Sequence, residues 1–190
     1  MRTDWREVVR AGSDLAIIGF VVLLLSLPIL TAGAALGAGS AAVRHWCDHR
    51  SLPSARAIAG WFGRGLLPGL GATVAAFVVA TALFLDVRAV AAGIVPGGMV
   101  ALAVTVLATA YVIGIAALTV VQVGRTDGRH WIAGLRTAVR LERRTAAATA
   151  ILCVLVVMAV FLGSVLPATT PLVVAFALFA AHVTTRRIGV

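Results

Sequence analysis

Apolar residues run almost without interruption from position 15 to position 43, and the first charge after Asp14 is Arg44. Within this run, Leu27-Pro28-Ile29-Leu30-Thr31-Ala32-Gly33 is a break signal. Proline removes a backbone donor and glycine relaxes the chain, so the helix either kinks there or turns back on itself. Residues 15–30 are rich in Leu, Val and Ile, whereas Gly, Ala and Ser dominate from 33 to 42. Gly33 and Gly37 fall at the four-residue spacing that lets helix backbones approach closely in lipid. The motif residues Pro28, Thr31, Gly33 and Gly37 are therefore read as turn-forming and packing residues.

The rest of the chain alternates between apolar and basic stretches. Residues 1–14 alternate in sign around Trp5, Val8 and Val9, the pattern of a segment lying at the headgroup level. Residues 44–64 form a basic connection in which Ser51-Leu52-Pro53 announces a helix and 55–64 is amphipathic. A helix pair follows over 66–123, with spans at 66–85 and 99–123 joined by a turn at Pro96-Gly97-Gly98. Residues 124–144 form a second basic connection, with Trp131, Ile132, Leu135 and Val139 at helical spacing. The last helix pair occupies 145–184, as spans 145–162 and 171–183 joined through Pro167. The pattern predicts one all-α membrane domain over 1–190. It is a polytopic transmembrane helix bundle of about five full or partial spans, with a broken first helix or hairpin at 15–43 and interfacial amphipathic helices.

Composition places the bundle in a bilayer. Of the 190 residues 61% are hydrophobic and 12% charged, far from the balance of soluble domains, and the mean hydropathy is +1.06. All sixteen basic residues are Arg, against seven acids. They are dispersed between apolar spans and build no single face, so they read as a topology signal and not as nucleic-acid contacts. A hairpin at 28–33 gathers fifteen of the Arg on the cytoplasmic side and leaves only Arg88 outside. A single crossing divides them twelve to four, and strands 33–43 as an uncharged helix at the surface. We therefore expect the hairpin, with a cytoplasmic C-terminus, although arms of roughly 15 residues are short for a ~30 Å core. Asp4, Glu7 and Asp14 in the N-terminal stretch, and the length of the apolar run, argue against a cleaved signal peptide. Cys47 and Cys153 imply no disulfide framework.

Candidate chemistry is sparse. No nucleophile elbow, Walker motif, carboxylate pair or metalloprotease pattern occurs, so no catalytic residue, cofactor or enzyme activity is expected. His45 and His49 would share a helix face while Cys47 points elsewhere, and His130 lies in the other basic connection; two ligands make a poor zinc site, and none is assigned. Proton- or ion-coupled transporters place ionisable residues inside the membrane, and none falls within 15–43, 66–85, 99–123 or 145–181. Tyr111 and Gln122 are the candidates for a polar contact in the interior.

Leu27-Pro28-Ile29-Leu30-Thr31-Ala32-Gly33-Ala34-Ala35, followed by Ala41-Ala42-Val43-Arg44 and Gly60-Trp61-Phe62-Gly63-Arg64, resembles the YesL-like family of bacterial integral membrane proteins, and the likeness covers nearly the whole chain. The resemblance implies a small multi-pass protein of the bacterial cytoplasmic membrane, from a family without an established activity that is often encoded near carbohydrate uptake systems. It carries over no catalytic residue. The expected partners are the lipid bilayer and other membrane proteins, such as a sugar transporter or a second copy. The expected role is a non-enzymatic accessory or interaction protein. The alternative is a small transporter or channel that uses the broken helix at Pro28–Gly33.

Overall fold

The computed structural model describes residues 5–93, 98–142 and 146–187, and every regular element among them is helical. The helices are α1 (Trp5–Leu25), α2 (Ala32–His49), α3 (Ala55–Ala91), α4 (Gly98–Arg125), α5 (Trp131–Glu142), α6 (Ala146–Val165) and α7 (Thr170–Arg187). Within them, α1, α3, α4 and α7 are long and apolar enough to cross a membrane, and α6 adds a shorter apolar stretch, Thr149–Val165. This is an all-α membrane bundle. The turn residues Pro96 and Gly97, and Arg143 and Arg144 of the second basic connection, lie outside the described residues.

The break near Pro28 is a hairpin. The α1 helix stops at Leu25, a 3-10 turn covers Ile29–Thr31, and α2 returns antiparallel to α1. Three contacts set the register: the Trp46 indole donates to Asp14 Oδ2 at 3.2 Å, Val22 packs under Gly39, and Thr31 Oγ1 donates to the Leu25 carbonyl at 2.6 Å. Asp14 was expected to separate a surface segment from the first apolar helix, but α1 runs through it unbroken. Its carboxylate accepts the hydrogen bond of the Trp46 indole N–H and so has a partner within the hairpin. The arms are accordingly about 32 and 27 Å long at 1.5 Å per residue, longer than the sequence suggested.

Ten of the eleven residues from Gly33 to Val43 are buried and Leu36 is half-buried, so α2 is enclosed on nearly every side. Only a helix of small side chains permits this, because each neighbour then approaches its backbone. A Cβ on Gly33 would collide with the Gly69 carbonyl of α3, one on Gly39 with Val22 of α1, and one on Gly124 of α4 with the Ser40 hydroxyl. The larger core residues, Leu15, Ile18, Val22, Val43, Trp46 and Leu178, close around this column.

The α3 helix continues through both the amphipathic segment and the span that follows it. Ser54 caps its start, accepting from the Ala57 amide at 3.2 Å, and Pro68 sits inside it. At 37 residues and about 55 Å, α3 far exceeds a ~30 Å bilayer core. The start of α2 meets α3 at Thr73, residues 74–80 of α3 are all exposed, and none of the most apolar window of α3 is buried.

The starts of α1 and α3 and the ends of α2, α4 and α7 meet at one end of the molecule. His45 and Trp61 face each other at 6.2 Å there, Arg44 reaches Arg125 and Asp127, and Arg186 reaches Asp48. Arg88, near the far end of α3, lies well away from this basic end.

Candidate functional site

The four motif residues divide between two tasks. Pro28 is exposed and leads the 3-10 turn, and the Thr31 hydroxyl donates to the carbonyls of both Leu25 and Pro28, at 2.6 and 2.8 Å. The carbonyl of Leu25, the last residue of α1, which a helix end leaves open, is satisfied in this way. Gly33 and Gly37 are buried packing positions. The Gly33 amide, in the first turn of α2, donates to Thr73 Oγ1 at 2.8 Å, while that hydroxyl donates to the Gly69 carbonyl at 2.9 Å. Thr73 thus caps α2 from a neighbouring helix. A Cβ on Gly37 would lie 3.4 Å from Gly128 Cα in the loop between α4 and α5. The matching small-residue face, Gly65 and Gly69 on α3, escaped the sequence reading although it has the same four-residue spacing.

A seam of polar groups runs along α2, α4 and α7 toward the basic end. Ser40 is fully buried and donates to the Val120 carbonyl at 2.9 Å. One turn on, Arg44 donates to the Arg125 carbonyl at 2.7 Å and to Asp127 at 3.0 Å, covering the C-terminus of α4, where a helix presents negative potential. Asp48 accepts from Arg186, which holds its carboxyl below the usual carboxylate range. Beside it Cys47 is half-buried, and burial pushes its thiol up, away from the reactive thiolate.

The seam ends inside the bundle at His182 and Gln122. The sequence reading found no ionisable residue in the spans, but its last window closed at Ala181. His182 lies one residue further, within α7, and is only 2% exposed. Its ring packs toward the core because Leu178, Ala181, His182 and Thr185 share one helix face, one turn before the first arginine, and all four are buried. His182 Nδ1 is 3.0 Å from the Leu178 carbonyl, which can only accept, so in the neutral ring Nδ1 carries the proton and Nε2 is an acceptor. Neither Nε2 of His182 nor Nε2 of Gln122 has a partner among the described residues, and both atoms are buried. Gln122 shares the α4 face of Leu118 and Val121, which cluster with Ala181 of α7. The interior therefore holds one unmatched donor on α4 and one unmatched acceptor on α7, each costing about 1–3 kcal/mol when left unsatisfied. The chemistry of this pair is hydrogen bonding to a small polar group or water.

The remaining candidates are scattered. Tyr111, midway along α4, is 47% exposed. His45 and His49 stack at 4.3 Å on one face of α2, Cys47 packs on the opposite side against the core, and His130 sits in the loop before α5. Among the described residues no three His, Cys, Asp or Glu side chains are grouped to hold a metal ion. The acids are also dispersed: Asp14 faces Trp46, Asp48 and Asp127 face arginines, and Asp86 is exposed on α3. No protein-family model, curated protein or solved structure matches the chain.

Proposed function

We propose that the protein is a non-enzymatic accessory component of a bacterial cytoplasmic membrane, oriented with its C-terminus in the cytoplasm, and that it works by packing laterally against other integral membrane proteins. The carrying observation is the exposed apolar surface of α3 and α4 beyond the hairpin: Phe77, Val78 and Phe84 on one helix, Val104 and Leu107 on the other. The small-residue face of α2, the first candidate for a partner surface, is used up within the bundle, since Ser40 is fully buried. The family resemblance names carbohydrate uptake systems as the setting for such a partner. A photoreactive residue at Phe77 or Leu107, activated in native membranes, is expected to give an adduct with one identified integral protein, and a probe at Ser40 is expected to give none. Adducts with lipid alone at Phe77 and Leu107 would remove the proposal.

The second reading, a small transporter or channel, is favoured by the buried and unmatched His182 and Gln122. The broken helix offers less to a ligand, because the Gly33 amide and the carbonyls of Leu25 and Pro28 are already paired within the chain. Reconstituted vesicles should then take up a sugar or conduct an ion in a way that His182→Ala abolishes. Silence across a panel of both solute classes rules this reading out.

A further inference from the structure

Helix α5 is held against α4 by a narrow inner stripe. Gly134 and Ala138 are buried, and a Cβ at Gly134 would lie 2.9 Å from the Val123 side chain, so the two helices are in close contact. The opposite side carries Ile132, Leu135 and Val139, which are 70%, 46% and 38% exposed and form one ridge at helical spacing. Arg136 and Arg140 border that ridge one turn apart, and with Leu135 and Val139 they line a shallow surface groove. Like charges at this spacing repel one another. The ion pairs formed among the described residues, Arg44 with Asp127 and Arg186 with Asp48, leave both of these arginines exposed. The chain passes from Glu142, at the end of α5, to Ala146, at the start of α6, within four residues. Ile151, Val154 and Val157 of α6, the next helix, are exposed as well.

We propose that the outer face of α5 is a docking surface for anionic phospholipid, with the headgroup phosphate held between Arg136 and Arg140 and the start of the acyl chains beside Leu135 and Val139. Charge complementarity selects this occupant. A second copy would bring the same two cations against the groove, and a zwitterionic lipid would leave the net charge of the arginine pair uncompensated.

The test uses the full chain with Cys47 and Cys153 replaced by Ala and a fluorophore on Ile132→Cys. The protein is placed in nanodiscs of phosphatidylcholine and phosphatidylglycerol, with brominated acyl chains on one lipid at a time. Brominated phosphatidylglycerol is expected to quench the label well beyond its mole fraction. Each guanidinium near an anionic surface contributes about a fivefold preference, so Arg136→Gln with Arg140→Gln should reduce the excess by up to about 25-fold. The Arg136→Lys and Arg140→Lys pair should retain most of it. Should the Gln pair fail to fold, raised salt on the parent protein reads the same charge and must reduce the excess. Equal quenching by the two lipids, an excess insensitive to both the Gln pair and salt, or a label site covered by a second copy in crosslinking would each overturn the proposal.

Discussion

Gly69 and Gly71 sit two residues apart on α3 and face opposite surroundings. A Cβ on Gly69 would lie 2.7 Å from the Ala34 Cα, whereas one on Gly71 meets nothing within 4 Å. Gly69→Ala should therefore force α3 away from α2 and destabilise the protein by about 1–3 kcal/mol. Gly71→Ala should stabilise it by about 0.5–1 kcal/mol, because alanine gives up less backbone freedom in a helix. Unfolding of the two variants in detergent is expected to shift in opposite directions, and equal shifts would show that α3 does not rest on α2 through Gly69. Thr73→Val leaves the Gly33 amide without its acceptor and should cost about 1–2 kcal/mol, while Thr73→Ser should be close to neutral. The same unfolding assay separates them.

At the scale of elements, the end of α2 is tied to α7 by Asp48 and Arg186, whose side chains are 45% and 43% exposed. The hydrogen bond from Arg186 depresses the folded-state pKa of Asp48 below its ordinary value of 3.8. The tie's contribution to stability is therefore complete above that value and is lost as pH falls through the depressed one. Solvent screening keeps this contribution small, so the readout should be local. The protection of the C-terminal turns of α7 against hydrogen exchange, taken relative to the intrinsic rate at each pH, is expected to fall on acidification below about pH 4 in the parent protein. In Asp48→Asn it should be low throughout and lack that acid limb. An identical pH profile in the two proteins would show that the pair carries no such tie. The sequence disclosed much about the elements and less about their ends. Pro28 and the shift from Leu to Gly and Ala marked the hairpin, because turn chemistry and side-chain size are local properties. The unbroken course of α1 through Asp14 depends on an indole 32 residues away, which no local pattern carries. Likewise, the amphipathic stretch 55–64 and the span 66–85 read as separate elements, whereas α3 runs through both and is pressed against its neighbours at Gly65 and Gly69. His182 falls inside the 171–183 span, but its burial is a product of the tertiary packing of α7, which no local pattern carries.

For the whole molecule the decisive quantity is the number of crossings between the ends of the chain. The Arg distribution favours an even number, since the hairpin leaves only Arg88 on the far side. The packing of the helices bears on the same count independently of charge. The register that places Asp14 beside Trp46 and Asp48 beside Arg186 brings the start of α1 and the end of α7 to one end of the bundle. Gly93, which follows α3, lies beyond the stretch of that helix that rises past the hairpin turn, and it belongs to the opposite end. In a background without Cys47 and Cys153, cysteines replacing Glu7 and Arg187 should therefore react with a membrane-impermeant maleimide from the same side. A cysteine at Gly93 should react from the other side. If Glu7→Cys and Arg187→Cys label from opposite sides, the α1–α2 hairpin does not survive in the bilayer as a paired unit. A helix that crossed only once could not keep the indole of Trp46 on Asp14, so Trp46→Phe would then leave stability unchanged. With the hairpin intact, the same substitution strands the Asp14 carboxylate inside the fold and should destabilise the protein by about 1–3 kcal/mol.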